Sequence, residues 1–144
     1  MELLTKDIKF NVNNGDLWIN IIMSGLVRMD YQWDLLSNKA SEPFRLTNNS
    51  RIGNNKSPHD DYYVIINDKN PGEPIINMDQ RYIDLTMGII GSSGDAYQFN
   101  IEIKQGIEYS TATLIDTLSN TAGSTIPAGQ NYISYKCDIN LIKI

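Results

Sequence analysis

The chain has 144 residues, 41% of them hydrophobic and 20% charged, enough for one domain with a core of its own and too apolar for disorder throughout. A net charge of -5 without any dense run of Lys or Arg argues against nucleic acid, whose binding rests on neutralising phosphates. A single cysteine, Cys137, excludes an internal disulfide, and no stretch approaches the run of ~20 apolar residues that a membrane-spanning helix needs.

Along the chain, the first segment carries Glu2, Lys6 and Asp7 and so lacks the apolar core of a signal peptide, which predicts a protein that is cytoplasmic or exported without a cleaved leader. Ile8, Phe10 and Val12 then alternate with Lys9 and Asn11, and Asn14-Gly15 precedes a second alternating run, Leu17, Ile19, Ile21 and Met23. Asn-Gly between two such runs predicts a β-hairpin, because both central residues of a type I′ turn need positive φ. Ser24-Gly25 marks a further turn, after which Val27, Met29, Tyr31, Trp33 and Leu35 keep the odd-numbered phase.

From Ser37 to Asp60 the alternation stops, and Asn48, Asn49, Ser50, Gly53, Asn54, Asn55, Ser57 and Pro58 predict a long loop. Tyr62 to Ile66 is apolar on both faces, as in a strand covered on both sides. Asn70-Pro71-Gly72 reads as a turn and Ile75 to Met78 as a short edge segment. Ile83, Leu85, Met87 and Ile89 resume alternation, Ser92 to Asp95 turns the chain, and Tyr97, Phe99, Ile101 and Ile103 run back. Gln105-Gly106 begins another reversal into Ile107 to Leu118, whose Thr content favours strand over helix. Ser119 to Gln130 predicts a second long loop, and Ile133, Tyr135, Cys137, Ile139 and Leu141 form a last strand. Together these predict an all-β chain: a single-domain antiparallel β-sandwich over residues 1–144, jelly-roll or immunoglobulin-like, with about seven to nine strands and two long loops.

Little in this pattern suggests catalysis. Gly91-Ser92-Ser93-Gly94 has the composition of a phosphate cradle, but no helix follows to supply the amides and dipole. His59-Asp60-Asp61 is the one place where a histidine meets carboxylates and is the candidate metal site. Neighbouring strand residues point to opposite faces, and neither a zinc spacing nor a calcium loop is present, so no metal or other cofactor is expected. No Gly-x-Ser-x-Gly elbow occurs, and no catalytic constellation marks an enzyme.

The aromatic residues divide by phase. Tyr31, Trp33, Tyr97, Phe99 and Tyr135 fall among the core positions, whereas Trp18 shares the polar phase with Asp16 and Asn20, Tyr82 with Asp84 and Thr86, and Tyr132 with Ser134 and Lys136. Gathered on one wet sheet face, Trp18, Asn20, Tyr82 and Tyr132 would stack on sugar rings or anchor a protein partner. The expected function is therefore a non-catalytic binding module for carbohydrate or cell-surface recognition. The alternative is a structural or self-assembling subunit of a bacterial or phage-like particle or toxin. Its homo-oligomer would form through edge strands, with the carboxyl-terminal Ile142 and Ile144 on such an edge.

Overall fold

Alternation dictates two faces per strand, and the molecule buries the apolar ones against each other as a two-layer sandwich. A computed structural model describes residues 1–37, 40–52, 59–65 and 79–144. Their strands are β1 (Glu2–Phe10), β2 (Asp16–Gly25), β3 (Arg28–Ser37), β4 (Ala40–Ile52), β5 (His59–Val64), β6 (Arg81–Ile90), β7 (Tyr97–Gly106), β8 (Thr113–Ser119) and β9 (Tyr132–Lys143), with a short 3-10 turn at Tyr109–Thr111. A five-stranded sheet has the order β1-β9-β6-β3-β4 and a four-stranded sheet the order β5-β2-β7-β8. Between them lies one apolar cluster, with Leu17, Ile19, Phe99 and Ile101 from the smaller sheet meeting Trp33, Leu35, Leu85 and Cys137 from the larger. Burial pushes the Cys137 thiol up to about 12, with Asp138 and Asp84 adding to the rise, so Cys137 is a small core side chain held neutral.

The expected first hairpin is not a hairpin. β1 pairs in parallel with β9, whereas β2 lies in the other sheet between β5 and β7. Asn14-Gly15 therefore carries the chain across the core, and the β1–β9 pair departs from an otherwise antiparallel architecture. The reason lies in the backbone around Gly15, which has φ 93°, and where a Cβ would stand 2.6 Å from the Gly106 carbonyl carbon. The buried Gln105 amide donates to both Asn11 O (2.6 Å) and Gly15 O (2.9 Å), satisfying in β7 the carbonyls that a hairpin would have paired within itself. Gly25 repeats the arrangement: it has φ 114°, a Cβ there would approach Ala96 O to 2.5 Å, and the following β3 belongs to the opposite sheet.

Other boundaries also differ from the pattern-based expectation. β4 occupies much of the predicted loop between Ser37 and Asp60 and pairs antiparallel with β3 from Arg28↔Ile52 to Ser37↔Ala40. Edge pairing along the backbone needs no alternation, which is why a polar Asn-rich stretch serves. The turn at Asn70-Pro71-Gly72 and the segment Ile75 to Met78 lie outside the described residues. Ile107 to Leu118 contains the 3-10 turn before a shorter strand, β8. The carboxyl-terminal strand is no edge: β9 runs between β1 and β6, Leu141 is fully buried, and Ile144 N–H donates to Phe10 O.

The second long loop is as expected, and it is held down. Asn120 presents its amide to β7 like a strand residue, accepting from Phe99 N–H (2.8 Å) and donating to Tyr97 O (3.2 Å). Ile126, at 1% exposure, plugs the end of the core. No helix among the described residues is long and apolar enough to cross a membrane.

Candidate functional site

The outer face of the four-stranded sheet gathers the most varied chemistry among the described residues. Strand register lays it out in rows: Val64, Trp18 and Lys104 stand side by side on β5, β2 and β7, and Tyr62, Asn20 and Glu102 form the next row. Asp60 follows Tyr62 on the same face of β5, two residues away. Over these rows hangs Tyr109, delivered by the 3-10 turn between β7 and β8.

The aromatic rings make a continuous surface. Tyr62 and Tyr109 stack nearly parallel, with centroids 3.9 Å apart and planes 4° from each other. Trp18 leans against both, its centroid 6.4 Å from that of Tyr62 and 6.1 Å from that of Tyr109. Its indole N–H donates to Gly106 O at 3.1 Å, which fixes the ring over the sheet. Tyr62 remains 53% exposed, so this surface is open to solvent on the β5 side.

At the centre is Asn20, only 2% exposed although it belongs to the polar phase. Its Nδ2 donates to the Tyr109 hydroxyl at 2.5 Å and lies 3.4 Å from both Asp60 Oδ2 and Glu102 Oε1. Its Oδ1 is buried and has no partner. Lys104 completes the group, with Nζ 4.7 Å from the Tyr109 ring centroid and 4.0 Å from Glu102 Oε1. The Tyr109 phenol is pushed up chiefly by burial, while Lys104 pulls it down and Asp60 and Glu102 push it up, so it stays a neutral hydroxyl.

Of the sequence-predicted residues, Trp18 and Asn20 come together here and Tyr82 and Tyr132 do not. Those two lie on the five-stranded sheet, behind the core, and toward opposite ends of it, Tyr82 opposite Asn140 and Tyr132 opposite Ile90. A shared phase sets inward against outward within a strand and says nothing about which sheet the strand joins. Tyr62, Tyr109, Glu102 and Lys104 were missed. Tyr62 was hidden by an expectation that β5 is covered on both sides, whereas it is an edge strand with Asp60 and Tyr62 in solvent. For Tyr109 the only signal was a tyrosine shortly after Gln105-Gly106.

The candidate metal triplet is separated by the pleat. Asp60 faces outward beside Asn20, while Asp61 is buried at 8% exposure and accepts from the Tyr31 hydroxyl at 2.5 Å. Since its one O–H is directed at Asp61, the Tyr31 hydroxyl accepts in turn from Tyr63 at 2.6 Å. Asp61 thus ties β5 to β3 across the core. His59 begins β5 opposite Met23, and its side chain lies outside the described structure. Among the described residues no group of three or more His, Cys, Asp or Glu is placed to hold a metal ion.

Comparison of the chain with protein-family models, with curated proteins and with solved structures finds no match.

Proposed function

We propose that this protein is a non-catalytic binding module that recognises a carbohydrate, such as a cell-surface glycan, through the outer face of its four-stranded sheet. The observation that carries the reading is the aromatic cluster of Trp18, Tyr62 and Tyr109, open to solvent at Tyr62, around a buried amide flanked by carboxylates. Flat rings take the C–H face of a sugar, and Asn20, Asp60, Glu102 and Lys104 offer its hydroxyls both donors and acceptors. A glycan array probed with the wild type and with Tyr62→Ala, Tyr82→Ala and Tyr132→Ala tests it. Loss of a hit in Tyr62→Ala alone is expected. A hit retained by Tyr62→Ala, or a blank array, overturns it.

A self-assembling subunit is the second reading, supported by Leu114 at 47% exposure on the edge strand β8 and Ile107 at 84% in the connection before it. Light scattering across a dilution series tests this, and a monomer at every concentration rejects it.

A further inference from the structure

Between Ile107 and Thr111 every residue is exposed except Tyr109. The 3-10 turn buries no residue fully and has no side-chain cap, and its backbone bonds are internal, Thr111 N–H to Glu108 O and Ala112 N–H to Tyr109 O. Beside the same segment lies an open cleft of ≈ 450 Å³, lined by Gln105, Gly106, Ile107, Thr111 and Ile115 among others, and the segment's two ends meet where the Ala112 backbone packs on Gly106. One side chain therefore fastens this connection to the sheet, and it does so by setting a hydroxylated ring flat on Tyr62, with its hydroxyl on Asn20 Nδ2.

We propose that Tyr109 occupies the seat of the ligand's ring: the Ile107–Thr111 segment, hinged where Gly106 and Ala112 pack together, is a lid that swings out when a sugar binds. This rests on the carbohydrate reading above. Segments held by few buried contacts open at low free energy, and a site occupied in its closed state binds with an affinity reduced by the open fraction. The groups left behind define the ligand class. The Tyr62 face takes a ring, Asn20 Nδ2 donates to a ring hydroxyl where the phenol oxygen had been, and the unpartnered Asn20 Oδ1 takes a donated hydrogen bond. Asp60 and Glu102 accept from further hydroxyls and outnumber Lys104, so a neutral pyranose is favoured over one bearing a carboxylate.

The test is a titration of the wild type, Tyr109→Phe and Tyr109→Ala with methyl glycosides of glucose, galactose and mannose, and with methyl glucuronide. Binding is followed by the Trp18 indole N–H resonance, assigned with a Trp18→Phe control. The expected order for a neutral glycoside is Tyr109→Ala tightest, by about tenfold over wild type, with Tyr109→Phe between them and the glucuronide weakest. Wild type binding as tightly as Tyr109→Ala, or more tightly, makes Tyr109 a ligand contact: the lid is overturned and the carbohydrate reading survives. A glucuronide preference overturns the ligand class. An indole resonance unmoved by every glycoside in all three proteins overturns the carbohydrate reading and the lid with it.

Discussion

The outer faces of the two sheets are built from the same alternation, yet they place different groups among their acids. On the four-stranded sheet a donor sits at the centre: Asn20 Nδ2 donates to the Tyr109 hydroxyl and turns its remaining N–H toward Asp60 and Glu102, each 3.4 Å away. On the five-stranded sheet Asp34, Asp84 and Asp138 stand directly opposite one another on β3, β6 and β9. Each keeps one buried oxygen without a hydrogen-bond partner, and Lys136 Nζ offsets the row from one end, 3.7 Å from that oxygen of Asp138. Carboxylates directly opposite in a sheet repel, so this row costs stability, whereas the amide-centred cluster binds its acids in place. The two faces therefore differ in what stands at their centre: an amide donor among acids on one, with only Asn20 Oδ1 left over, and acid beside acid on the other.

The largest effect comes from giving the first face the defect of the second. Asn20→Asp removes the shared donor and sets a buried carboxylate between Asp60 and Glu102, with an expected loss of about 2 kcal/mol at neutral pH. The sign follows from linkage. The new carboxyl has a folded pKa raised above its unfolded value, so its penalty is full above the folded pKa and is relieved as pH falls through it. Urea melts at neutral pH and in mild acid measure this, and a variant as stable as wild type at neutral pH would show that the amide is not the organising group.

Which of these features was legible in advance follows the same division. Period-two alternation identified the inward residues of β2, β3, β6, β7 and β9, because burial on one face is a local property of each strand. Partner choice is not local. Asn14-Gly15 fits a hairpin and a crossing of the core with equal parity, and the choice is made by Gln105 and Gly106, some ninety residues away. β4 escaped notice because it needs only backbone pairing. Trp18 was found as an aromatic out of place in the polar phase and Asn20 as its polar neighbour, while Tyr62 and Tyr109 reach them from an edge strand apolar in both phases and from a turn.

A smaller effect comes from relieving the second face. Burial raises Asp84 most, Lys136 pulls it down, and Asp138 and Asp34 push it up further. Asp84→Asn removes the middle charge and is expected to stabilise the protein at neutral pH by up to about 1 kcal/mol. A carboxyl whose folded pKa is raised stabilises the native wild type as pH falls through that pKa, so the variant's advantage shrinks on acidification and is lost below the usual carboxylate range. Lys136→Met should act oppositely, destabilising at neutral pH because the row loses its counter-charge. An advantage of Asp84→Asn that persists unchanged into acid would mean that the row is not repulsive.

The finest comparison is between the two lysines. Lys136 opposes several carboxylates, whereas Lys104 lies beside Glu102 and over the Tyr109 ring on a face whose acids already share the Asn20 amide. Lys104→Met keeps the apolar stem and is expected to cost only about 0.5 kcal/mol, less than Lys136→Met. Salt separates the two parts of that loss. The contact with Glu102 is partly open to solvent and weakens as ionic strength rises, while the contact with the ring face depends on the lysine lying against it. A double-mutant cycle with Tyr109→Leu at low and high salt isolates the ring part as a coupling that survives added salt. Were Lys104→Met as costly as Lys136→Met, the donor-matched face would depend on net charge as much as the acidic one does, and the contrast between the two would reduce to the number of carboxylates each carries.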